Sequence, residues 1–145
     1  MIRTIAVALK IPDNAAYTAL VALRRLGVAV ERVERSEIWF FEDDGDVGRL
    51  VARIEADETI FNPNKHRLSL LDDAFPRPGE VWIEPLEAAG RGPAATVWGL
   101  FDARGAPVSQ AVLAAGIERL LCNPAIDRAI TNAKATNRDI PSRTE

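Results

Sequence analysis

Between Ile2 and Lys10 the chain alternates: Ile5, Val7 and Leu9 point one way, Thr4, Ala6 and Ala8 the other. That period of two predicts a strand with one core face. Its second face is small and uncharged, which is unusual for a face meant only for water. Pro12-Asp13-Asn14 breaks the alternation and offers a helix cap. Beyond it Ala16, Ala19, Leu20, Leu23 and Leu26 recur at helical spacing up to Gly27, a natural C-terminal cap. A second strand is predicted over Glu37–Glu42, with Ile38 and Phe40 on one side and Trp39 and Phe41 on the other. Both faces of it demand burial. Helices can cover one face, and the other asks for a second sheet, from another subunit or from the second half of the chain. The acidic turn Asp43-Asp44-Gly45-Asp46 caps a helix carrying Val47, Leu50, Val51 and Ile54, which must stop before Pro63. Lys65–Leu71 supplies a third strand.

Pro76, Pro78 and Gly79 mark a junction over Asp72–Gly79, after which the pattern starts again. Val81-Trp82-Ile83 reads as a strand, 85–93 as a loop or vestigial short helix, and Thr96–Phe101 as a strand. A turn at Asp102-Ala103-Arg104-Gly105 leads to a helix with Pro107 at its first position and Leu113, Ile117, Leu120 and Leu121 as one buried stripe. Asp127–Thr131 closes the series. Two phrases echo each other across the junction. Ile60-Phe61-Asn62-Pro63 returns as Leu121-Cys122-Asn123-Pro124, with the asparagines 61 residues apart. Upstream, Ile38-Trp39-Phe40-Phe41-Glu42-Asp43 is answered by Val97-Trp98-Gly99-Leu100-Phe101-Asp102. Repeated phrases at one period mean repeated units. The predicted architecture is α+β: tandem ferredoxin-like split βαβ sandwiches on antiparallel sheet, at 1–71 and 80–131, the second partial for want of its first helix. A polar tail, 132–145, comes last and is expected to fray.

Composition then narrows the field. The chain has 145 residues, 48% hydrophobic and 27% charged, as in ordinary soluble domains. A net charge of −3 without a Lys/Arg run argues against nucleic acid as a partner. One cysteine, Cys122, excludes an internal disulfide framework and fits a reducing compartment. No apolar span reaches the roughly 20 residues a membrane helix needs, and Ile2–Leu9 has neither the basic lead nor the cleavage site of a signal peptide. A cytoplasmic location is expected.

Three phrases resemble one known family, the small PurS subunit of phosphoribosylformylglycinamidine synthase. Val7-Ala8-Leu9-Lys10 looks like the family's opening "V-x-L-K" strand, and Ala22-Leu23-Arg24-Arg25-Leu26-Gly27 is similar to its "A-L-x-x-L-G" helix end. Arg119-Leu120-Leu121-Cys122-Asn123-Pro124-Ala125-Ile126 resembles "L-L-x-N-P-x-I", where the family's second helix ends. A family member is a single unit of about half this length, so the chain reads as a fused or diverged pair. The resemblance implies a non-catalytic role in purine biosynthesis. Such a subunit sits between the synthetase (PurL-like) and glutaminase (PurQ-like) subunits, so that ammonia from glutamine reaches formylglycinamide ribonucleotide. It implies no catalytic residue, cofactor or metal of its own. Lys10, Arg24, Arg25, Asn62 and Asn123 are the expected partner-interface residues, and a homo-oligomer is compatible with the role. The alternative is an ACT-like regulatory module binding a small metabolite at the inter-unit interface, with the loop Ala88–Ala94 lining it.

Single residues with chemical potential read more plainly as structure. His66, the sole histidine, has the chemistry of a general base, but Lys65 and Arg67 beside it point to a solvated strand edge. Cys122 between Leu121 and a helix stop fits a small buried hydrophobe. The acidic turn at 42–46 lacks the ligand order of a calcium loop. Gly90-Arg91-Gly92 lacks the strand-loop-helix setting of a phosphate cradle. Trp39, Trp82 and Trp98 all fall in strands and suit core or sheet packing. The Asn-Pro pairs read as helix stops, because proline forbids continuation and asparagine bonds its own backbone.

Overall fold

The computed structural model describes residues 1–87 and 92–133. Its elements run in the order β1 (Ile2–Leu9), α1 (Asn14–Arg25), β2 (Arg32–Glu42), α2 (Val47–Glu55), β3 (His66–Leu71), β4 (Glu80–Pro85), β5 (Ala95–Phe101), α3 (Gln110–Gly116) and β6 (Asp127–Thr131). All six strands form one antiparallel sheet, ordered β3-β1-β2-β5-β4-β6. The fold is α+β, compatible with the ferredoxin-like expectation. From either edge inward the order has the same sense: third strand, first strand, second strand of each half.

Each helix starts where a short polar side chain caps it. Asp13 accepts a hydrogen bond from the Ala16 N–H at 3.1 Å, Asp46 from Arg49 N–H at 3.0 Å, and the Ser109 hydroxyl from Val112 N–H at 3.2 Å. Gly27 comes just after α1 with φ of 85°, the left-handed conformation that ends a helix. Pro107 is therefore not a first helical residue: it bridges to Phe101, and the helix begins beyond Ser109.

The helices α1, α2 and α3 lie on one face of the sheet. Leu50 and Ile54 of α2 bury Ile5 and Val7 of β1, with Trp39 and Phe41 of β2 alongside. Leu23 of α1 and Leu113 of α3 share a second cluster with Val81, Ile83 and Leu100 of β4 and β5. The first helix thus packs along β2 of its own half and, through Leu23, shares a core with strands of the second half.

The second half of the chain does not supply a second sheet over the other face. The second half joins the first edge to edge through β2 and β5, with Ser36 opposite Val97 and Ile38 opposite Ala95. The apolar face is instead crossed by the 72–79 segment, which runs from the β3 edge to β4 and buries Pro76. Beneath it Ile38, Trp82, Ala95, Val97 and Ile130 form a third cluster. Phe40, away from that cover, stays 45% exposed.

Two more boundaries differ. β2 begins at Arg32 rather than Glu37, because this strand pairs on both sides: 36–42 with β1 and 32–38 with β5. The helix after β5 closes in a π-type turn, Ile117–Leu121. One extra residue in that turn rotates the later side chains by about 100°, so Leu120 leaves the apolar stripe and is 40% exposed. Glu118 and Arg119 are exposed with it, so this helix is less buried than its composition suggests. No described helix is long and apolar enough to cross a membrane.

Candidate functional site

The two Asn-Pro phrases fold into the same turn, bond for bond. In each, the asparagine carbonyl accepts from the backbone N–H groups three and four residues on: Lys65 and His66 at 2.9 and 2.8 Å, Ile126 and Asp127 at 2.9 and 2.8 Å. In each, the side-chain oxygen accepts from the N–H two residues on, Asn64 at 2.9 Å and Ala125 at 3.1 Å. In each, a side chain four residues on accepts the asparagine's own N–H: His66 Nδ1 at 2.9 Å, Asp127 Oδ2 at 3.2 Å. The carbonyl before the next strand then holds the end of the neighbouring strand. Lys65 O accepts from Lys10 N–H, and Ile126 O from Leu86 N–H, both at 2.8 Å. Because the strands alternate in direction, the turns sit at diagonally opposite corners of the sheet.

His66 is accordingly half-buried and engaged in its turn, with its ring tilted on Phe61 at 5.9 Å, rather than a freely solvated edge residue. Cys122 is half-buried against the α1–α3 cluster. Trp82 is 3% exposed, while Trp39 and Trp98 are half-buried in their strands. Gly90 and Arg91 of the glycine pair, most of the proposed 88–94 ligand loop, and 134–145 of the tail lie outside the described residues.

The expected interface residues are only partly brought together. Lys10 and Asn62 meet at one corner, and Asn123 marks the opposite one. Arg24 and Arg25 lie at the far end of α1, about 18 Å from its start. Arg24 reaches Glu31 at 3.4 Å. Arg25 borders a shallow apolar groove with Tyr17, Val21 and Leu26. Tyr17 is 67% exposed, so α1 offers an apolar outer face as well as its buried one.

The acidic turn behaves as a cap and a clamp. Asp43 bonds Arg3 and accepts from Gly45 N–H at 2.8 Å; the Arg3 bond first, then the Gly45 bond, hold its carboxyl below the usual aspartate value. The hydroxyl and then the N–H of Thr59 do the same for Asp57. A carboxyl whose folded pKa is depressed adds stability above its unfolded pKa and loses it as pH falls through the folded value. The urea midpoint should therefore respond to these two groups only below about pH 4, with a shallower acid fall in Asp43→Asn. A titration between pH 2 and 7 checks this. Among the described residues no group of three His, Cys, Asp or Glu is placed to hold a metal ion.

One feature escapes prediction from the sequence. The face of the sheet opposite α1, α2 and α3 carries, among the described residues, two adjoining cavities of about 480 and 440 Å³, floored by small side chains including Ala6 and Ser36 and flanked by the 72–79 strap. The small, uncharged face of β1 is its visible signal. No family model, curated protein or solved structure matches this chain.

Proposed function

We propose that this chain is a non-catalytic assembly subunit of the PurS kind, bridging the synthetase and glutaminase subunits of a phosphoribosylformylglycinamidine synthase in the cytoplasm. One arrangement carries the reading: two near-identical Asn-Pro turns held at opposite corners of a single hydrogen-bonded sheet. A bridging subunit has to keep two docking points at a constant spacing, and a continuous sheet does this better than two hinged domains. The exposed apolar face of α1, edged by Arg25, adds a surface suited to protein contact. The phrases shared with the family fall on these elements, Lys10 before one corner and Asn123 at the other.

The test is reconstitution. The full chain, mixed with the synthetase and glutaminase subunits from the same cell and passed over a sizing column with glutamine and ATP, is expected to elute with both. Elution of the chain alone, under conditions where the other two are folded, overturns the proposal.

A further inference from the structure

We propose that β3, one edge of the sheet, pairs antiparallel with β3 of a second copy of this chain, so that one sheet runs through two molecules. The edge is open: β1 lies on one side of β3, and among the described residues no other strand pairs with it. The bond from Lys10 N–H to Lys65 O, 2.8 Å, sets the phase of the ladder. Residues 65, 67, 69 and 71 turn their main-chain groups toward β1, and Leu68 and Leu70 turn theirs outward. Nothing among the described residues bonds those outward groups. Such a row is a template for another strand, and edges are ordinarily blunted by proline, lysine or a bulge. His66–Leu71 holds neither residue, its register with β1 is unbroken, and the strap leaves it inward across the sheet.

The residues along this edge select a second copy as the occupant. Antiparallel self-pairing centred on Ser69 sets Leu68 opposite the partner's Leu70 and Leu70 opposite the partner's Leu68, each pair exchanging both main-chain bonds. Phase and centre agree, because the main-chain groups of Ser69 face β1 and it falls on the non-bonded pair that the two-fold axis crosses. Leu68 packs against the α2 cluster, whereas Leu70, two places along on the same face, is 46% exposed. The seam covers Leu70 and carries that cluster into the partner. Charge obeys the same symmetry. Lys65 and Arg67 at the start of β3, and Asp72 and Asp73 just past its end, are exposed and lack ion-pair partners among the described residues. Reversing direction brings each basic end to an acidic one, Lys65 opposite the partner's Asp73, and the two-fold axis repeats the match. Sliding the register by two residues loses it, setting Leu68 opposite the partner's Asp72 one way and Lys65 opposite the partner's Leu71 the other. The far edge, β6, has no such polarity: Glu84 holds its Arg128 at 2.8 Å, and Asp127 accepts from Asn123 N–H. The pairing does not rest on the assembly reading, since it needs neither enzyme subunit.

Sedimentation of the full chain alone, at up to hundreds of micromolar, is the test. The expected species has twice the 15.8 kDa of one chain. Leu70→Pro removes an outward N–H while sparing the β1 ladder, a change an edge strand tolerates, and should leave a folded monomer by far-ultraviolet dichroism. Lys65→Glu and Asp73→Lys, both at exposed positions, should each raise the dimer Kd about tenfold by setting like charges opposite each other at both ends of the seam. The double variant Lys65→Glu/Asp73→Lys restores opposite charges and should return the Kd to that of the parent chain. A 15.8 kDa species at the highest concentration, a dimer indifferent to Leu70→Pro, or a double reversal no tighter than the single ones overturns the proposal.

Discussion

Leu23→Ala is expected to destabilise the protein by about 2–5 kcal/mol, the range for emptying a packed aliphatic site. Leu23 is fully buried, and although it belongs to α1 its neighbours include Val81, Ile83, Leu100, Leu113 and Leu121 from beyond the junction. The hole would close poorly. On one side stand strands fixed in a ladder; on the other, α3 already approaches so closely that a Cβ on Gly116 would lie 3.5 Å from Leu23 Cδ2 and 3.2 Å from Leu100. In urea the midpoint should fall with an unchanged slope, and tryptophan fluorescence and far-ultraviolet dichroism should report one coincident transition. Two separated transitions would mean that the halves unfold independently, contrary to a core they share.

Gly79→Ala should be nearly as damaging, at about 3 kcal/mol, from two sources that add. Gly79 ends the strap with φ of +80°, a left-handed conformation that alanine adopts only under strain. A Cβ there would also stand 2.6 Å from Pro107 Cβ and 3.1 Å from Leu100 O, where neither a proline ring nor a strand carbonyl can yield easily. Gly105→Ala separates the two effects. Its φ is +82° but a Cβ meets nothing within 4 Å, so only the strain of about 1 kcal/mol should appear. Equal midpoints for the two alanine variants would show that the strap does not press on Pro107.

Much of this architecture is legible in the sequence wherever burial and capping act locally. Asp13 and Asp46 announce their helices because a carboxylate satisfies free N–H groups without help from the rest of the fold. The repeated Asn-Pro phrase announces a repeated turn because every bond in it lies within a few residues. The start of β2 stays hidden for the opposite reason. Arg32-Val33-Glu34-Arg35-Ser36 has no apolar alternation; it is a strand because β5 completes its ladder. Its arginines lie over partner aromatics, Arg32 at 4.2 Å from the Phe101 ring and Arg35 at 5.9 Å from Trp98. Leu120 misleads because a helical wheel assumes an unbroken period, which the π-type turn interrupts. The covered trough is half legible: β1 shows a face too small for water alone, but which segment crosses it depends on contacts between distant parts of the chain.

The two ends of the sheet match in their turns but not in their helices. β1 and β2 are joined through the twelve-residue α1, whereas β4 and β5 are joined by 86–94, too short to hold such a helix. A true two-fold dimer displays every surface twice and recruits partners in even numbers. Here the Tyr17–Leu26 face occurs once, so any protein that docks on it is fixed at a stoichiometry of one per chain. Covalent linkage of the halves releases them from the identity that a two-fold dimer imposes on its copies.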